Sequence, residues 1–96
     1  MSNESTALHP LANLVGEIIV VDTASPYVYV GRLQSLTSFS IELNEADCHD
    51  LRDSLTNREK YVMDCRVHGV SPNRQRTWVR MDEIVGWCRL NDVIVE

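Results

Sequence analysis

Residues 27–36 read YVYVGRLQSL. Tyr27, Tyr29, Gly31 and Leu33 alternate with Val28, Val30, Arg32 and Gln34, so the first half of the run is apolar on both faces and the second half on one. Gly31 falls in the middle. A glycine there costs stability unless the strand bends sharply or another backbone comes close. A long second strand bent at its centre is the mark of a small barrel. Upstream, EIIVVD (17–22) is rich in β-branched side chains and predicts a first strand, with TASP as the turn that follows. Downstream, Phe39, Ile41 and Leu43 alternate with Ser40 and Glu42 to give a third.

Further out, HPLANLVG (9–16) predicts a short amphipathic helix. Pro10 suits the first turn, Leu11, Leu14 and Val15 share a face, and Gly16 stops it. His9 is read as an exposed cap. The stretch NEADCHDLRDSL (44–55) is polar and acidic, as a solvated connection is. Residues 56–69 carry two helix end signals: Thr56 with Glu59 as a capping box, and Gly69 as a left-handed stop that lays Val70 over Cys65. Tyr61, Met63, Cys65 and Val67 also alternate as a strand would, but the two end signals agree on a helix. SPNRQ (71–75) reads as loop, RTWVR (76–80) and EIVGWCRL (83–90) as the last two strands, and the charged knot Arg80-Met81-Asp82-Glu83 as the turn between them.

Ninety-six residues suffice for one small core. We assign residues 1–7 to a flexible tail and 8–96 to a single domain, with 44–76 as an insert. The opening MSNEST lacks the pattern of a secretory signal, and no apolar segment approaches membrane-spanning length. Three cysteines, Cys48, Cys65 and Cys88, fit reduced thiols, and a cytoplasmic location is expected. The net charge of −5 speaks against indiscriminate coating of nucleic acid. The charge is uneven, however. Residues 1–50 hold one basic side chain against seven acids, and residues 51–96 hold eight against seven. Eight of the nine basic residues are arginine, whose planar fork pairs with phosphate or stacks on a base. An anion site, if present, belongs to the second half.

The order of these elements resembles the Sm-like (LSm) proteins. LVGEIIVVDTASPYVYVGRL (14–33) fits the first Sm motif without a gap, and WVRMDEIV (78–85) fits the second at Val79, Arg80 and Asp82, with Met81 where the family has glycine. The resemblance covers residues 10–43 and 77–88 and identifies the chain as a divergent member. It implies a mainly β fold: a small, open, bent five-stranded barrel of the SH3-like kind, with an N-terminal helix and here an extra helix between strands 3 and 4. It also implies a homo-oligomeric ring in which strand 4 of one subunit pairs with strand 5 of the next. Physical chemistry supplies a parallel reason, because RTWV and IVGWC are too apolar for edges left to water. The Arg-containing second motif and the long insert set the chain apart from the bacterial Hfq branch.

The family holds single-stranded RNA with a segment after strand 2 and with the arginine of the second motif. Here that segment is LTSFSIEL (36–43), in which Thr37 takes the place of an Asp, Ser38 or Phe39 that of the stacking residue, and Ser40 that of the base-reading Asn. Serine lacks the paired donor and acceptor of Asn, so the uridine pocket is expected to be altered. Phe39 is in phase with Ile41 and Leu43, which places it in the core rather than under a base. Strand phase puts Arg74, Arg76, Trp78 and Arg80 on one face, where guanidinium groups around an indole suit phosphates and a base. The rival is that these arginines pair with carboxylates such as Asp82 and Glu83, or that Trp78 is buried in a subunit contact.

The expected site is therefore Arg80, Asp82, Ser38, Phe39 and Ser40, with Arg74, Arg76 and Trp78. No glycine loop for phosphates and no nucleophile elbow is present in the sequence, so no enzymatic activity and no cofactor are expected. Asp47, His49 and Asp50, or Cys65 and His68 with Cys48 and His49, are far from a zinc spacing, and no metal is expected. Two functions compete: a ring that binds RNA or another single-stranded nucleic acid, and a non-catalytic interaction or assembly module that has kept the fold and lost the pocket.

Overall fold

The structure is a computed structural model that describes residues 9–53 and 55–96. The tail expected over residues 1–7 lies outside the described residues. Five strands, β1 (Ile18–Thr23), β2 (Tyr27–Leu36), β3 (Ser40–Asp50), β4 (Arg74–Arg80) and β5 (Ile84–Arg89), form one antiparallel sheet. Helix α1 (Arg58–His68) lies between β3 and β4 in the chain. The sheet order is β4-β3-β2-β1-β5, so β4 and β5 are its two edges and the sheet is left open. No described helix is long and apolar enough to cross a membrane.

The sheet is coated on two sides. Ile19, Val21, Leu33, Ile41, Leu43 and Val79 form one buried cluster with Leu11. Val20, Val28 and Val30 point the other way, into a cluster with Tyr61, Val62 and Cys65 of α1. This is why the centres of EIIVVD and YVYV are apolar without alternation: Ile19, Val20, Val21, Val28 and Val30 each have a buried place on one face or the other. At Gly31 a side chain would be intolerable. A Cβ there would lie 2.7 Å from the Ala46 Cβ and 2.9 Å from its Cα. The β2–β3 register shifts between Val30 and Arg32, next to this contact. The glycine thus serves the close approach of a neighbouring backbone.

The N-terminal helix is a short 3-10 turn, Pro10–Leu14, in which Leu11 is buried but Val15 is not. His9 Nδ1 accepts from the Leu11 N–H at 3.1 Å, the expected cap, but the ring is half-buried near Trp87 and not exposed. Gly16 has φ +94 and donates its N–H to the Leu33 carbonyl at 2.8 Å.

The largest departure from expectation is β3, which runs to Asp50 instead of ending near Leu43. Its polar second half pairs with Tyr27–Val30, after an interruption at Glu45, whose φ of 46 is left-handed. The polar side chains there are met by the helix. The Tyr61 hydroxyl donates to Asp47 Oδ2 at 2.5 Å, and the Tyr61 ring stacks on His49 at 3.9 Å. The Tyr61 phenol is pushed far up by burial and by its bond to Asp47. Arg74 and Gln75 likewise belong to β4 and not to a loop, so the connection between strands is residues 51–73 and not the insert 44–76. Helix α1 is capped by Asn57, whose Oδ1 accepts from the Lys60 N–H at 2.8 Å, and not by the Thr56–Glu59 box. Its other end is as expected: Gly69 has φ +88 and donates to the Cys65 carbonyl at 2.9 Å, and Val70 packs on the helix-side cluster.

Two predictions follow from these contacts. Gly31→Val should lower unfolding free energy by about 1–3 kcal/mol in urea titration, whereas Gly86→Ala, whose nearest foreign neighbour is 3.8 Å away, should leave it nearly unchanged. Asp50 accepts from Arg52 Nη2 at 2.9 Å, and that side-chain bond, with one from the Arg52 backbone N–H, holds its carboxyl down at about 2. A lowered folded-state value gives stability that is full above the ordinary carboxylate range and lost as pH falls toward 2. Asp50→Asn keeps an acceptor for the Arg52 N–H, so its acid unfolding curve should be flatter than that of the parent between about pH 4 and pH 2.

Candidate nucleic-acid interface

The turn between β2 and β3 is built by one hydroxyl. Thr37 Oγ1 accepts from the N–H groups of Phe39 at 3.1 Å and Ser40 at 3.2 Å, and the Thr37 N–H donates to the Ser40 carbonyl at 2.8 Å. A side chain that substitutes for backbone in this way makes a tight, ordered turn. The charged knot, a 3-10 turn over Met81–Glu83, docks against it. The Met81 N–H donates to the Phe39 carbonyl at 2.7 Å, and Ser40 pairs with Arg80 across the β3–β4 ladder.

Ser38, Phe39 and Ser40 are thereby brought beside Arg80 and Asp82 at one end of the sheet. Phe39 is not in the core. It is 82% exposed, while Ile41 and Leu43 are fully buried. The strand begins at Ser40, so the alternation that buries Ile41 and Leu43 does not extend back to a turn residue. An aromatic ring held out in water at this junction has the surface needed to stack a base. The Met81 side chain, which stands where the Sm motif has glycine, packs against the main buried cluster.

Arg80 is not free. Its Nη2 donates to Asp82 Oδ2 at 2.6 Å, with both side chains mostly exposed. Such an exposed pair is worth no more than about 1 kcal/mol, which a phosphate can displace.

The remaining residues divide. Trp78 and Arg76 lie opposite Glu42 and Asn44 of β3. The Arg76 guanidinium sits 5.8 Å from the Trp78 ring centre and 3.3 Å from Glu42 Oε2. Trp78 remains 57% exposed. Arg74 pairs with Ala46 beyond the Glu45 interruption. Its Nη1 donates to the Asn73 carbonyl at 3.1 Å, and its charge acts on the Tyr29 phenol, which burial pushes up to about 12. Arg74 is therefore remote from the Phe39–Arg80 end. The pairing of arginines with carboxylates holds for Arg80 with Asp82 and for Arg76 with Glu42.

Sequence reasoning missed the role of Thr37 as turn builder. The spacing of a hydroxyl two and three residues before Phe39 and Ser40 was the available signal. Of the side chains weighed as metal ligands, Asp47 is bonded to Tyr61, His49 is stacked on it and Asp50 is held by Arg52. Among the described residues, no three His, Cys, Asp or Glu side chains gather as a metal site requires.

No family model matches the sequence, and no curated protein matches it significantly. A solved structure does resemble it: that of a Pyrococcus abyssii Sm protein in complex with a uridine heptamer. The likeness spans 84% of this chain and 97% of that one, with a TM-score of 0.56 and 14% sequence identity. An open, five-stranded antiparallel sheet with a helix between β3 and β4 accords with that likeness, and the fold of this chain is that of the Sm-like proteins.

Proposed function

We propose that this chain is a non-catalytic, cytoplasmic protein that forms a homo-oligomeric ring and binds single-stranded RNA at the rim made by Ser38, Phe39, Ser40, Arg80 and Asp82. The observation that carries the RNA reading is the exposure of Phe39 in the turn that docks on the Arg80–Glu83 turn. In this reading the phenyl ring stacks a base and the Arg80 guanidinium leaves Asp82 for a phosphate. The backbone groups of the turn are largely spent on the turn itself, since Thr37, Ser40, Phe39 and Met81 bond one another. That leaves short serine hydroxyls to meet the base edge, and discrimination among bases is correspondingly weak. The likeness to an Sm protein solved with a uridine heptamer supports the ligand class.

The ring reading is supported by the edges. Among the described residues β4 pairs only with β3 and β5 only with β1, and they carry Trp78, Val85 and Trp87, exposed at 57%, 67% and 37%. Joining β4 of one copy to β5 of the next supplies partners for both rows of backbone groups and closes when the rotation allows. Trp78, with Arg76 over it, is assigned to that contact.

The second reading, an assembly module without RNA binding, is favoured by the arginines already being engaged by Asp82 and Glu42. Fluorescence anisotropy with labelled oligo-U, oligo-A and single-stranded DNA separates the two. RNA binding predicts comparable affinity for oligo-U and oligo-A. It also predicts a loss of about 1–3 kcal/mol in Phe39→Ala, and a salt slope smaller by about 0.7 in Arg80→Ala. No binding at low salt would establish the second. Light scattering on a sizing column tests the ring independently: a mass several times that of one chain is expected, and a stable monomer at high concentration refutes it.

A further inference from the structure

A cleft of about 350 Å³ lies between α1, the helix-covered side of β1 and β5, and the C-terminal segment. Its floor is apolar, made by Val20, Val62, Met63, Cys88 and Val93. Its volume is at the small end of the ~300–1,000 Å³ typical of ligand clefts. The rim carries Asp22, Glu59, Asp92 and Glu96, and only Arg58 among the lining residues is cationic. Arg58 is already committed to Asp22 at 2.9 Å. Asp92 has only a long contact with Arg89, 3.8 Å. Burial raises the Cys88 thiol, and Asp22 and Asp92 add to the rise, as a negative field requires. Three carboxylates bracket the floor: Glu59 stands on the helix, Asp92 and Glu96 on the opposite segment. Ile94, 82% exposed, stands at the mouth.

An occupant must therefore be apolar at its centre and cationic on two sides. Nucleic acid and acidic lipid are repelled by such a rim, and a single small ammonium cannot meet both walls. We propose that the cleft between α1 and residues 92–96 docks a basic, aliphatic segment of a partner protein, with a lysine or arginine on each side of a leucine-like side chain. Apolar contact with the floor supplies the affinity, and the rim charges select and orient the segment. This surface is distinct from the Phe39–Arg80 rim and does not depend on RNA being bound there.

The test is an amide and methyl NMR titration of the full chain with an end-blocked lysine-leucine-lysine-leucine-lysine peptide. Two controls carry glutamate in place of lysine, or serine in place of leucine. The proposal requires saturable shifts at Val62, Met63, Cys88 and Ile94 with the first peptide, and at least about tenfold weaker binding of each control. The double variant Asp92→Asn, Glu96→Gln changes two exposed residues, so folding is preserved. It should weaken the first peptide by about threefold to tenfold. Absence of saturable shifts, shifts that map to the β2–β3 turn, equal binding of the serine control, or indifference to the double variant would each overturn it.

Discussion

Gly31 and Ala46 approach so closely that no side chain fits between β2 and β3 at that point. The rest of the molecule depends on this contact. Bringing the two strands together there shifts the register by one residue, with the extra residue on β3, where Glu45 takes a left-handed backbone. The two halves of each strand then serve different surroundings. The N-terminal half of β2 lies under helix α1 through Val28 and Val30, and the C-terminal half carries Leu33 into the main cluster. Interior packing tolerates little added volume at such a site, so a missing methyl group at Gly31 shapes more of the fold than most of the groups present.

That division explains the helix. A sheet with one covered face needs alternation, yet β1 buries three consecutive residues, Ile19, Val20 and Val21. Val20 requires a lid, and α1 is that lid, using Tyr61, Val62 and Cys65. The same helix repays the polar end of β3. A tyrosine hydroxyl and ring satisfy Asp47 and cover His49, so residues that read as a solvated loop lie in a strand. Buried polar groups are tolerated when they are bonded; Asp47 finds its partner in a segment more than ten residues away in the chain, whereas His49 is covered by the ring with its Nε2 left unbonded.

At the open end, two turns from distant parts of the sequence become one surface. The Met81 N–H and the Phe39 carbonyl join them, and the Ser40–Arg80 pair continues the ladder up to the junction. The junction of the two turns, from which Phe39 and Arg80 are exposed to solvent, is held by backbone bonds. Neither side chain has to pay for the arrangement through packing of its own.

Local pattern alone determined much of this protein. Strand-forming runs at 17–22, 27–36, 39–43, 76–80 and 83–90, the mid-strand glycine, the helix with its Gly69 stop, and the charged turn at Arg80–Glu83 are all legible, because each is specified by neighbours a few residues apart. Arg80 and Asp82 were legible too, since a turn between two apolar runs leaves its charged residues exposed. What only the tertiary structure decided were the length of β3, the cap at Asn57, the outward position of Phe39 and the separation of Arg74 from Arg80. Each depends on a partner remote in sequence or on where a strand begins. Periodicity cannot report either, because it records which side chains share a face and not which face finds something to cover it.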